Sequence, residues 1–545
     1  MTHRFTNTAA RRAAAATAIA ALVPLAALTP PSAARPAPGP PHGPGTAPRP
    51  TLVVLVTVDQ FRADYLDRFG PGLEGGLARL VRGGARFTNA HQDHAIPETA
   101  PGHATLLSGR FPRNTRIILN GVGVDDPEAP LLDGSAVGAS PRRFKGTALF
   151  DWMRARDPRS HALSVSGKDR GAILPLGRTK EEAYWYGFHG RFTTSRYYRD
   201  ELPDWVQRFN ARDLARRRAG QSWTPLLDAG AYPEPDTESI EGGGHDAGFP
   251  HLAPADSDRA AAYAQRTPWS DEIVLALALE GLQARKLGAG PQADLLAVSL
   301  SATDAIGHVY GPDSREMHDQ VLRLDRALGV FLDSLYKLRD STRVAVVLAA
   351  DHGAAPIPEI SGRQMRPEPM RVETEMLLAS VRQGLRGARV DTAAIDLALG
   401  LVIVDREALA RGHINADSML EAFAKQARGS RGVQRVDRLR DLRAANPERD
   451  PVARRWAQLL PDDVPVDWVV TLAPYNIWWS DNIASHHTPH DYDTHIPLVF
   501  YGPSFAPGSY SDFVRSVDIA PTLAEVLGLR PGEKLDGVVL RKALK

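Results

Sequence analysis

The segment TLVVLVTVD, Thr51 to Asp59, is apolar at almost every position and ends on an acid. A run without polar alternation predicts a strand buried on both faces, as in a parallel sheet. Three further segments repeat the pattern: HALSVSGKDR ends in Lys168 and Arg170, DLLAVSLSATD ends in Asp304, and RVAVVLAADHG reaches Asp351 and His352. HIPLVFYG, His495 to Gly502, predicts one more strand. Amphipathic stretches such as MHDQVLRLDRALGVFLDSLYKL lie between several of them and predict helices. Apolar strands alternating with helices predict an α/β fold with a mostly parallel central sheet flanked by helices. Two segments fall outside this scheme and predict inserted cap segments. One spans about 175–285 and carries the aromatic-rich YWYGFHGRFTTSRYYRDELPDWVQRFN; the other, about 357–480, has polar helical stretches and NIWWSDN. Their aromatic residues read first as core packing, then as ligand contacts. No internal repeat is present.

The N-terminus changes the picture. Arg4, Arg11 and Arg12 precede the apolar run Ala13 to Leu28, and Ser32-Ala33-Ala34 fits a small-residue cleavage site. Residues 1–34 therefore predict a secretory signal peptide, and the Pro- and Gly-rich residues 35–50 a linker, leaving 51–545 as the main domain. Losing that leader removes three arginines and no acid, taking the formal charge from +1 to −2. This balance predicts no nucleic-acid partner, and no further stretch predicts stable membrane insertion. The expected location is periplasmic or secreted, as a monomer. There is no cysteine, so disulfides and thiolate chemistry are excluded and any metal site must use His, Asp, Glu or hydroxyl ligands.

In open α/β sheets ligands bind beyond the carboxyl ends of the strands, where the charged residues of this chain collect. One acid at a strand end is an ordinary helix cap; three strands ending in metal-type ligands and one ending in two cations are harder to explain that way. Asp304 and His308 are four apart, on one face of a helical turn. Asp351 and His352 precede Gly353, Asp59 closes the first strand, and SHHTPHDYDTH adds His486, His487, His490 and His495. Mixed imidazole and carboxylate donors suit zinc better than magnesium. In IPETAPGHATLLSG, Pro101 followed by Ala104, Leu106 and Leu107 predicts a helix start. Thr99 then either caps that helix or sits at an N-terminus that favours an anion.

Taken in order, these residues resemble the alkaline phosphatase superfamily: Asp59, Thr99 in TAPGHATLLSG, Asn120 in LNGVG, Asp304-x-x-x-His308, Asp351-His352, and His486 before TPHDYDTHIPLVF. The resemblance is nearest to the threonine-nucleophile alkaline phosphatases and the nucleotide pyrophosphatase/phosphodiesterases, and it covers about residues 51–530. It implies two zinc ions, one held by Asp304, His308 and His486, the other by Asp59, Asp351, His352 and the Thr99 oxygen. It also implies that small-molecule phosphate esters are attacked by Thr99 to give a phosphothreonine, with Asn120 donating to a nonbridging oxygen. One departure stands out: His487 occupies a position that is usually glycine, which makes His487 the alternative ligand to His486. Lys168 and Arg170, one residue apart, would project to the same side of an extended segment and clamp a dianionic phosphoryl group. That pair resembles the monoesterase branch. The chain has no Cys/Ser-x-Pro-x-Arg motif, which excludes a sulfatase. The alternatives are a phosphodiesterase or nucleotide pyrophosphatase and a non-catalytic metal or phosphate binder.

Overall fold

Every residue of the first strand, Leu52–Val58 (β1), is buried, as its unbroken apolar pattern requires. The computed structural model describes residues 49–134, 137–187 and 189–545; the predicted leader and all but the last two residues of the linker lie outside the described residues. Ala85–His91 (β2), Ala162–Ser166 (β3), Glu182–Tyr186 (β4), Phe192–Thr193 (β5), Asp294–Leu300 (β6), Val344–Ala349 (β7), His495–Tyr501 (β8) and Gly508–Arg515 (β9) complete a nine-stranded sheet. Its order is β9-β2-β8-β7-β1-β6-β3-β4-β5. The central five, β7-β1-β6-β3-β4, are parallel. β8 is antiparallel to both of its neighbours, with His495 opposite His91 in β2 and Leu498 opposite Ala349 in β7.

That pairing places the start of β8 and the ends of β2 and β7 at one edge of the sheet. Helices cover the faces, among them Trp269–Ala284 and the long amphipathic Arg315–Leu338, which buries Met317, Val321, Leu324, Leu328 and Leu335. Ser314 caps the latter by accepting the Met317 N–H. No described helix is long and apolar enough to cross a membrane.

The segment from 357 to 480 carries more than the helical stretches expected of it. It holds a four-stranded antiparallel sheet, Ile395–Ala398, Leu401–Val404, Val466–Leu472 and Val433–Arg438 in spatial order. All of these strands but Val466–Leu472 are short or largely exposed, so their pattern is weak beside that of the neighbouring helices. A core of Leu377, Leu420, Phe423, Val436 and Val470 holds this layer together. A third apolar cluster joins Leu401, Leu439, Trp456 and Leu459 to Ala95 and Ile96, on the loop that leads to Thr99. In the other extra segment, the aromatic residues Tyr184, Trp185, Phe192, Trp205, Phe209 and Trp223 are buried in the main core.

Candidate active site

The strand order sets four groups of chemistry side by side. Asp351 and His352 follow β7, Asp59 follows β1, the helix Ala302–Tyr310 with Asp304 and His308 follows β6, and Lys168 follows β3. The His486 segment enters the same edge from the start of β8, and the Thr99 segment enters from the end of β2.

Thr99 is the first residue of the helix Thr99–Leu106 (α1) and is buried. The N-cap position belongs to Glu98, whose own side chain makes no cap bond, so Thr99 does not serve as the cap. Asn120 takes part of that role from outside: its Oδ1 accepts the Ala100 N–H at 2.8 Å. Gly102 lets α1 approach the end of β7, since a Cβ there would lie 2.7 Å from the Cβ of Asp351. His103 fastens the helix from beneath: its Nδ1 donates to the Thr99 carbonyl at 2.9 Å and its Nε2 contacts Ser299 Oγ at 2.9 Å.

Three histidines share one arrangement. Nδ1 of His308 donates to the Ala484 carbonyl at 2.8 Å, that of His352 to the Gly353 carbonyl at 2.9 Å, and that of His486 to the Pro97 carbonyl at 2.7 Å. A carbonyl only accepts, so each Nδ1 is the protonated nitrogen and each Nε2 is turned to the cluster, the orientation found behind metal-ligating histidines. Asp304, His308 and His486 present ligand atoms within 4.8 Å of one another, and so do Asp59, Asp304 and His352. Asp351 stands at the border of this second group, its Oδ1 accepting the N–H groups of Gln60 and His352. Its Oδ2 lies 3.8 Å from His352 Nε2. These donor sets fit divalent zinc, which takes nitrogen and carboxylate oxygen together.

The electrostatics point the same way. Burial and the neighbouring Asp304 and Asp351 push the Asp59 carboxyl above the usual carboxylate range, against Lys168 and His352. Burial alone would lower His352, but Asp351, Asp59 and Asp304 prevail and push it up to about 10. Burial, with His352, His487 and His308 around it, holds His486 well below its usual value, so its Nε2 lone pair is free to bind a cation. Crowded, buried carboxylates of this kind require positive charge between them.

Lys168 supplies part of it. Its Nζ lies 2.6 Å from Asp59 Oδ2, 2.6 Å from Asp304 Oδ2 and 3.4 Å from Thr99 Oγ1. Burial opposes the ammonium charge, but Asp304 and Asp59 outweigh it and hold the pKa above the ordinary lysine value. The expected extended Lys-x-Arg segment is not what forms. Lys168 is extended at the N-cap of a short helix, Asp169–Ile173, and Arg170 lies in its first turn. The turn follows from local bonds, Lys168 N–H to Ser166 Oγ at 3.0 Å and Arg170 N–H to Asp169 Oδ1 at 2.6 Å. The Arg170 Nε is buried without a hydrogen-bond partner.

Two further residues belong to the cluster. Gln60, with φ +61°, donates from Nε2 to Asp304 Oδ1 at 2.9 Å. Its Oε1 fills the space that a Cβ at Gly307 would take. Glu98 accepts the Asn120 N–H at 2.7 Å. Their adjacency to Asp59 and Thr99 was the only sign of them in the sequence. His490 and His495 stand apart, bonded to the carbonyls of Leu472 and Thr88.

Residues 53–395 match the family model described as type I phosphodiesterase/nucleotide pyrophosphatase. The alkaline phosphatase PhoV of Synechococcus elongatus is 30% identical over 92% of this chain and 94% of its own. The alkaline phosphatase PafA of Elizabethkingia meningoseptica is 29% identical over 89% of this chain and 92% of its own. The solved structure of PafA superposes with a TM-score of 0.83 at 27% identity, covering 92% of this chain and 100% of that one. A solved PafA variant in which a threonine, an asparagine, a lysine and an arginine are replaced gives a TM-score of 0.85 at the same identity and coverage.

Proposed function

Because the chain belongs to the type I phosphodiesterase/nucleotide pyrophosphatase family, within the alkaline phosphatase superfamily, we propose that it is a metal-dependent alkaline phosphatase that hydrolyses phosphate monoesters through Thr99. One observation carries the reading: the Thr99 hydroxyl lies 3.4 Å from the Lys168 ammonium, which itself touches Asp59 and Asp304 of the two candidate metal groups. Nucleophile, cation and ligand sets thus form one cluster. Asp304, His308 and His486 would hold one zinc ion, and Asp59, Asp351, His352 and the Thr99 hydroxyl the other. When bound, the ions would lower the pKa of that hydroxyl and neutralise charge on the leaving oxygen.

Thr99 Oγ1 attacks phosphorus in line, the ester P–O bond breaks, and the alcohol leaves a phosphothreonine that water then hydrolyses to inorganic phosphate. The N-terminal end of α1 favours the negative charge gathered there. Lys168 and Arg170 face the dianionic phosphoryl group, and Asn120, its Oδ1 already occupied by Ala100, offers its amide N–H to a nonbridging oxygen. The replaced threonine, asparagine, lysine and arginine of the PafA variant are the residue types given these roles here, which supports the reading. The family description also carries diester hydrolysis, so the substrate class has to be tested directly. The reading extends to an exported chain acting as a monomer outside the cytoplasm, and the predicted leader supports the export.

The test compares an aryl phosphate monoester with its methyl diester, with and without a chelator, on protein analysed for metal. Faster monoester turnover, lost on chelation, with about two zinc ions per chain, is the expected result. Faster diester turnover would move the assignment to the phosphodiesterases, and metal-loaded protein without turnover would make it a binder.

A further inference from the structure

His487 occupies backbone that side-chain-bearing residues rarely adopt, with φ +93°. Glycine is the usual residue for such a conformation, and glycine is what the superfamily resemblance leads one to expect at this place. A non-glycine residue persists there when surrounding contacts hold it, and such strain collects at functional sites. The contacts are specific. His487 Nε2 lies 3.3 Å from Glu98 Oε1, its Nδ1 lies 3.3 Å from Ser485 Oγ, and its ring packs against His486, tilted by 40° with 4.0 Å between centroids. With Nε2 turned to Glu98, His487 is absent from both candidate metal groups among the described residues.

Glu98 joins this histidine to the nucleophile. It is the residue before Thr99 and is buried, and its second oxygen, Oε2, accepts the Asn120 N–H at 2.7 Å. Asn120 then accepts the Ala100 N–H through Oδ1 at 2.8 Å. A chain of bonds therefore runs from His487 through Glu98 to Asn120 and back to the first turn of α1. A carboxylate bonded from one side only would be free to rotate, and with it the loop that carries Asn120.

We propose that His487 is a positioning residue: by bonding Glu98 Oε1 it aims Glu98 Oε2 at the Asn120 N–H, and so fixes the Asn120 amide against a phosphoryl group at Thr99. The proposal rests on the phosphate-ester reading above. It also accounts for the strained backbone, since glycine at 487 would leave Glu98 without this partner.

The experiment is a cycle of His487→Gly and Asn120→Ala, with His487→Gln added, assayed on an aryl phosphate with thermal melting and metal analysis. Turnover by the parent protein is read first; its absence would defeat the phosphate-ester reading whatever the variants do. Given parental turnover, His487→Gly should lower kcat/KM about 10-fold, the worth of one misdirected hydrogen bond, with metal retained. Its melting temperature should equal or exceed the parent's, because glycine accepts φ +93° without strain. On the Asn120→Ala background the same change should cost under about twofold, since the two residues act as a unit. His487→Gln, which keeps a donor at similar reach, should recover part of the loss. Equal losses on both backgrounds, unchanged kcat/KM in His487→Gly, or a lowered melting temperature with lost metal would each overturn the proposal.

Discussion

Gly102→Ala tests how tightly α1 is wedged against the end of β7. A Cβ at this position would lie 2.7 Å from Asp351 Cβ and 2.8 Å from the Asp351 carbonyl carbon. Carbon atoms pack without repulsion at about 3.5–4.0 Å, so helix and strand end must separate by roughly 1 Å. Asp351 continues a strand hydrogen-bonded on both sides, whereas α1 is a helix of eight residues, so the helix is the element that moves. Thr99 moves with it. A misplacement of about 1 Å at a reacting group is worth on the order of 10²-fold in rate. Overpacking of this kind costs about 1–3 kcal/mol, a fall of a few degrees in melting temperature.

The expected variant therefore folds, keeps its metal and turns over an aryl phosphate about 100-fold more slowly. Steady-state kinetics, elemental analysis and thermal melting read the three effects separately. Rates within about twofold of the parent would refute the wedge. Loss of metal together with rate would show that the strand end yielded in place of the helix, which also refutes the reasoning.

Thr99→Ala should lower turnover by at least ~10³-fold with metal retained, while Thr99→Ser keeps appreciable activity; phosphate trapped on another residue would contradict the assignment. Lys168→Ala and Arg170→Ala should each cost roughly 10- to 10²-fold on a monoester and less on a diester, and equal losses on both substrates would assign the pair to general electrostatics. Glu241 is buried with Oε2 unbonded, and burial followed by Glu316, Glu238, Asp236 and Asp313 raises its pKa from 4.5 to about 9. The folded state then holds this proton to higher pH than the unfolded chain does. The stability this gives is complete below the unfolded value of 4.5 and is lost as pH rises to about 9. Glu241→Gln should match the parent near the lower limit and melt higher than it at the upper one, and parallel curves of melting temperature against pH would count against the charge.

The central strands were legible because each is buried on both faces and ends in chemistry. Asp59, Asp304, Asp351 and His352 stand at or just beyond the places where continuous apolar runs stop, so pattern and candidate chemistry marked the same positions. Edge strands carry no such mark: Gly508–Arg515 is mostly exposed and has no continuous apolar run. The Lys168 segment was misread as extended because its helical turn is set by two short side-chain bonds, from Ser166 and Asp169, that no periodicity reveals. Gln60 and Glu98 were missed for a related reason. A lone buried amide or acid has no spacing signature, and its role appears only when distant partners such as Asp304 and Asn120 arrive.

The placement of β8 bears on the order in which the molecule can be completed. This strand, His495–Tyr501, lies between β2, which ends at His91, and β7, which ends at Ala349, so both of its neighbours come much earlier in the chain. Until it is made, the two earlier strands have no bridge within the sheet, and only the direct packing of α1 on Asp351 joins the Thr99 segment to the turn carrying Asp351 and His352. His486 is delivered by the same late segment. A fragment ending before His486 lacks one member of a candidate metal group, and one ending before β8 also lacks the strand that joins β2 to β7. The candidate site of this architecture is therefore complete only in a chain that extends through β8.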